Sequence, residues 1–140
     1  MSYLDILKAQ LSVDEGYSRK MYLDSKGIWT IGIGHNLRDK PLSDRAIQAI
    51  FEDDMADAEA DARKLIKSFD TLNDVRKAVV INMSYNMGYS VLSKFRQTIA
   101  AIDAGNYAEA AEHMLNSLWA NQVGQRAVRL ANQMAKGERP

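Results

Sequence analysis

Residues 15–35, EGYSRKMYLDSKGIWTIGIGH, constrain this chain more than any other stretch. Up to Glu15 the pattern is helical, and from Arg19 it alternates as a strand does, with Met21 and Leu23 set against Lys20 and Tyr22. Asp24-Ser25-Lys26-Gly27 has the composition of a turn, with Gly27 free to take positive φ. Ile28 to Ile33 is rich in β-branched residues and forms a returning strand. The hairpin places Asp24 at the strand-to-turn junction and Thr30 on the way back. Side chains alternate across a strand, so Asp24, Ile28 and Thr30 share a face if the turn keeps the phase. Gly32 and Gly34 weaken the strand. They mark either a sheet corner or the close approach of a ligand or another backbone.

Most of the remaining chain reads as helix. Leu4, Leu7 and Leu11 lie on one face of a first helix over residues 3–13, which Gly16 terminates. After a loop from Asn36 to Leu42, Ser43 caps a helix over about 44–67, roughly 35 Å long at about 1.5 Å per residue. Its apolar stripe runs from Ile47 through Phe51 and Met55 to Leu65, and its acids, Glu52 to Asp61, form a solvated face. Residues 75–87 are apolar nearly all round, as a central bundle helix is, and Gly88 stops it. Further helices are expected over 91–104, with Phe95, Ile99 and Ile102 as core, and from a capping box at Asn106 and Glu109 to about Leu118. Residues 119–124 read as a connector, and a last helix spans 125–136 before Gly137.

Composition narrows function. With 18 basic and 18 acidic residues the formal charge is zero, so a general nucleic-acid binder, which must neutralise phosphates, is not expected. No cysteine is present, which removes disulfides, thiolate metal sites and cysteine nucleophiles. With two histidines, His35 and His113, neither a metal centre nor any other cofactor is expected. No stretch reaches the roughly 20 apolar residues of a membrane span, and no signal peptide is apparent. Length implies a single domain with two lobes.

Glu15 and Asp24 are two carboxylates in different local settings, which is what general-acid cleavage of a glycosidic bond requires, and Thr30 is suited to hold a water. Two acids nine residues apart carry little weight alone in a chain with 18 of them. The full string does more. Glu-Gly, then Tyr-x-Asp, a turn glycine, and Thr-Ile-Gly-Ile-Gly-His resembles the phage T4-type lysozymes, the endolysin family of muramidases. The likeness extends through Asn73–Gly88 and through Ser117–Gln122 with Arg126, so that it covers about residues 3–136.

The resemblance implies a lysozyme-like α+β fold, predominantly helical: a small β lobe over about 15–42, a joining helix, and a helical lobe over about 70–137 that also takes the N-terminal helix, in one catalytic domain. The stretch from His35 to Ser43 departs from the family in being shorter, which trims the β lobe. The resemblance also implies cleavage of the β-1,4 bond between N-acetylmuramic acid and N-acetylglucosamine in bacterial peptidoglycan. Glu15 would be the proton donor, and Asp24 and Thr30 would act on the water, with inversion. Gly34, Asn86 and Phe95 would contact substrate. Arg126 would position Glu15, and His35 would pair structurally with Asp54. By the same analogy the protein is a monomer without stable membrane association. It would wait in the host cytoplasm for release by a holin and then act in the periplasm. Two other readings remain open: a lytic transglycosylase, and an inactive lysozyme-fold domain that binds glycan or protein.

Overall fold

The computed structural model describes residues 1–139. Among these are seven α-helices, a short 3-10 turn and a three-stranded antiparallel sheet, the α+β, mostly helical class expected. The chain divides into two compact units, Met1–Ala49 and Ile50–Pro140.

In the first unit, helix α1 spans Tyr3–Asp14. A capping box starts it: the Ser2 hydroxyl accepts from the Asp5 amide, and the Asp5 carboxylate accepts from the Ser2 amide, each at 3.3 Å. Leu4, Leu7 and Leu11 form the expected stripe, and all three stay exposed. Glu15 closes the helix by donating its amide to the Leu11 carbonyl, and Gly16 follows in the left-handed region, at φ +75°.

Strand β1 (Ser18–Leu23) pairs with β2 (Trp29–Gly32), and β2 pairs with β3 (His35–Asn36), in the order β1-β2-β3. Ser18 lies opposite Gly32 but Tyr22 lies opposite Thr30, so the register slips at a bulge between them. The turn is closed by two bonds of 3.0 Å, from the Asp24 amide to the Ile28 carbonyl and from the Gly27 amide to the Asp24 carbonyl. Strand β3 replaces the start of the expected loop. Two residues carry no periodicity, and what makes them a strand is the pairing of Thr30 with Asn36 and of Ile31 with His35.

Ser43 then opens α2 (Asp44–Leu65) by accepting the Ala46 amide at 3.1 Å. The boundary between the two units falls within this helix.

Beyond α2 the second unit continues with the 3-10 turn Phe69–Thr71. Helix α3 (Asp74–Leu92) is capped by Asn73, whose side chain accepts the Arg76 amide, and it breaks at Gly88, where φ is +80° and ψ 167°. Four helices complete the unit: α4 (Arg96–Asp103), α5 (Tyr107–Leu115), α6 (Leu118–Val123) and α7 (Gln125–Lys136). Val79, Val80 and Met83 of α3 are buried with Ile66, Ile102, Met114 and Met134. Each such side chain stabilises the fold by about 1.5–3 kcal/mol relative to exposure. Ser84, also buried, donates to the Ala58 carbonyl at 2.8 Å and so ties α3 to α2.

Two local expectations differ from what is observed. Residues 118–123 are helical rather than a connector, because the Ser117 hydroxyl accepts the Ala120 amide and caps them. Asn106 makes no side-chain cap. Its φ and ψ of −91° and 70° lie outside the extended region that an N-cap residue occupies, and its amide is spent on the Ala101 carbonyl at 2.8 Å.

Candidate active site

Glu15 owes its place to the end of α1. The turn between β2 and β3 comes against its carboxyl: a Cβ built on Gly34 would lie 2.6 Å from Glu15 Oε2 and 3.0 Å from its Cδ. Gly34 also sits at φ +69°, where an L-residue is strained. Gly34 thus lies at the turn between two strands of the sheet, and what comes close to it is a side chain of the chain itself rather than another backbone. At Gly32, with φ +67°, a Cβ would meet nothing within 4 Å, so that glycine serves backbone conformation only.

Asp24 holds its own turn together. Its Oδ1 accepts the Lys26 amide at 2.8 Å and the Ile28 amide at 2.9 Å, an Asx-type arrangement. The Ile28 amide above all, then the Lys26 amide and the charges of Lys26 and Arg38, hold the carboxyl below the usual aspartate range against the opposing effect of desolvation. No described residue hydrogen-bonds Oδ2. Asp24 is therefore an anion with one oxygen committed to structure and the other open.

Thr30 is the only buried residue of residues 1–49. Its hydroxyl donates to the Ile28 carbonyl at 2.8 Å, so toward a water it acts as an acceptor. Register puts Tyr22 opposite Thr30, and the closing bond puts Asp24 opposite Ile28. The turn thus keeps the phase, and Asp24, Ile28 and Thr30 fall on one face.

His35 Nε2 lies 3.1 Å from the Lys40 carbonyl oxygen, a donation in the tautomer that carries the proton on Nε2. This bond ties β3 to the turn that follows it. Asn36 organises that turn: its Oδ1 accepts the Arg38 and Asp39 amides at 3.0 and 2.9 Å, and its Nδ2 donates to Asp39 Oδ2 at 3.0 Å.

The remaining candidates lie in the second unit. Asn86 Oδ1 accepts from Nε1 of the buried Trp119 at 2.8 Å, and Phe95 meets the same indole edge-on, with ring centroids 6.3 Å apart. Asn86, Phe95 and Trp119 therefore form one cluster joining α3, the residue preceding α4, and α6. Phe95 also lines an open hollow of about 300 Å³ with Gln97, His113 and Ser117. Arg126, on α7, donates from both Nε and Nη2 to Asn82 Oδ1, at 3.0 and 2.7 Å. With Phe51, Met55, Ile81 and Tyr85 it borders a mostly apolar groove of about 470 Å³. Asp54 borders a separate hollow of about 230 Å³ with Asp57, Asp61, Ser84 and Tyr85. Sequence reasoning missed Asn82. An amide one helical turn before Asn86 was the available signal, since residues at i and i+4 share a helix face.

Comparison with known proteins bears on the family of the chain. The phage lysozyme family model matches residues 13–136. The chain belongs to that family. Members of similar length include two proteins of Dictyostelium discoideum named probable T4-type lysozyme 1 and 2. They are 28% and 29% identical to this chain, over 94% of both partners in each case. The pre-baseplate central spike protein Gp5 of Enterobacteria phage T4 is 29% identical over 84% of this chain, which corresponds to 25% of that protein. Among the described residues no helix is long and apolar enough to cross a membrane.

Proposed function

We propose that this member of the phage lysozyme family is a peptidoglycan muramidase. It hydrolyses the β-1,4 bond between N-acetylmuramic acid and N-acetylglucosamine. Glu15 protonates the leaving oxygen, and Asp24, as the anion, orients and activates a water that Thr30 helps to hold by accepting a hydrogen bond. The observation that carries this reading is the pair of carboxyls in unlike settings. Asp24 is held ionised by its turn and keeps one oxygen open, while Glu15 rests against a glycine that leaves it room.

The rest of the proposal follows the family. Gly34, Asn86 and Phe95 contact the glycan, Arg126 positions Glu15, and His35 with Asp54 is structural. The two units act as one monomeric catalytic domain, released through a holin to lyse the host from the periplasm.

The test is digestion of purified peptidoglycan with product analysis by mass spectrometry, wild type beside Glu15→Gln. Hydrated reducing ends from the wild type and a loss of about 100-fold or more in the variant are expected. Equal product from both proteins would sink the assignment. Anhydro products, one water lighter, would make the protein a transglycosylase. Glycan binding without turnover in both would make it a binding domain.

A further inference from the structure

The hollow of about 300 Å³ beside Phe95 carries more charge than a neutral sugar requires. Lys94 and Arg96, which flank Phe95 in the chain, both line it, together with Gln97, Thr98 and His113. No carboxylate lines it. Glu109 lies 3.4 Å from His113 Nε2 but stays outside the hollow. Lys94 and Arg96 are exposed, and neither pairs with an acid among the described residues. Two cations without a counter-charge therefore border one small space.

The backbone adds donors of the same sense. Helix α4 opens at Arg96, and its N-cap residue, Phe95, has no side chain able to accept a hydrogen bond. The first bond into the helix runs from the Ile99 amide to the Phe95 carbonyl, at 2.9 Å, so the amides of Arg96, Gln97 and Thr98 have no described acceptor. Thr98 is an independent sign of a ligand. It is only 3% exposed, and its hydroxyl has no hydrogen-bond partner among the described residues. Yet no described side-chain oxygen or nitrogen is sealed away without a partner. What Thr98 still presents to the hollow is therefore its oxygen. Two cations, free amides at the positive end of a helix and an unpaired hydroxyl together fit a carboxylate.

The glycan backbone of peptidoglycan is uncharged. Its carboxylates sit on the lactyl arm of muramic acid: the lactyl group itself where the arm is bare, and the stem peptide where the arm is substituted. We propose that the hollow is a carboxylate subsite, in which Lys94, Arg96, the first amides of α4 and the Thr98 hydroxyl donate to an acidic group carried by that arm. The proposal rests on the muramidase reading above and deepens it: Phe95 meets the glycan, and the cations on either side of it meet the acidic substituent.

The experiment follows the backbone amides of the whole protein by nitrogen-15 NMR. N-acetylmuramic acid, N-acetylmuramyl-L-alanyl-D-glutamate and the carboxamide form of each are titrated in turn. The acids are expected to shift the amides of Arg96, Gln97 and Thr98, and the carboxamides to bind about 10-fold more weakly, as loss of a charge-assisted hydrogen bond implies. The double variant Lys94→Gln/Arg96→Gln loses at least the same factor with unchanged circular dichroism, because both side chains are exposed. Binding of the dipeptide assigns the stem carboxylates, and binding of the sugar acid alone assigns the bare lactyl group. Acids and carboxamides binding equally overturn the proposal, as do wild type and double variant binding the acids equally, or binding that leaves the three amides unmoved. Turnover of peptidoglycan is measured alongside. Acid-selective shifts without turnover leave the subsite standing and remove the muramidase reading, whereas turnover without acid selectivity does the reverse.

Discussion

Replacing Gly34 with alanine tests the proposed role of Glu15 directly. The new Cβ would lie 2.6 Å from Glu15 Oε2, where ordinary contact begins at 3.4 Å, so the carboxyl must retreat by about 0.8 Å. A misplacement of about 1 Å costs on the order of 100-fold in rate. Allowing for relaxation of an exposed side chain, we expect kcat on peptidoglycan to fall between about 10- and 100-fold. The backbone adds a separate cost: an L-residue at φ +69° loses about 1–2 kcal/mol, equivalent to roughly 2–8 °C in Tm for a chain of this size. The matched control is Gly32→Ala. It incurs nearly the same backbone cost at φ +67° and meets nothing. The two variants should therefore lose similar Tm in thermal unfolding, while only Gly34→Ala loses activity beyond about threefold, well under the cost of a misplaced catalytic group. The reasoning is refuted if Gly34→Ala retains nearly full activity, or if Gly32→Ala loses as much.

Asp24→Asn keeps an oxygen for the Ile28 and Lys26 amides and removes only the charge. It should retain wild-type circular dichroism and lose about 100-fold or more in kcat, whereas Asp24→Ala also loosens the turn. Because the folded-state carboxyl is held below its unfolded value, its contribution to stability is full above the unfolded value of about 3.9 and is lost as pH falls through the lower folded value. Wild-type activity should persist into the same acidic window, and pH profiles of Tm and kcat on Asp24→Asn should lack this step. Asn86→Ala leaves the buried Trp119 N–H unpaired and should cost about 1–3 kcal/mol in urea unfolding followed by tryptophan fluorescence. Arg76 donates to the Met134 and Ala135 carbonyls near the end of α7 and stacks on Tyr107 at 3.8 Å. Its replacement by alanine should cost about 2–4 kcal/mol in the same assay, with lysine, which lacks the fork, recovering under half.

Whatever depends on a few neighbouring residues can be read from the chain before it folds. Gly16 and Gly137 end their helices because the left-handed conformation there suits glycine. The turn Asp24–Gly27 follows from an aspartate able to accept the amides after it and a glycine at positive φ. The long stripe of α2 and the all-round apolar run of α3 are periodicities, and the buried Val79, Val80 and Met83 are where that run puts them. The string from Glu15 to His35 is equally local, and the family to which the chain belongs is legible from it.

Partners, by contrast, come from the folded arrangement. Strand β3 exists because Thr30 and Ile31 offer it a ladder. Nothing in two residues announces that. That the Asn86 oxygen accepts from an indole of α6, and that Asn82 holds Arg126, cannot be read from the sequence around either amide. Gly34 shows the division most clearly, because its lack of a side chain is plain in the sequence while the reason for it is not. Propensity and φ are set by the residue and its neighbours. Which side chain arrives against which is set by the packing of segments distant in sequence, and that is known only once the chain has folded.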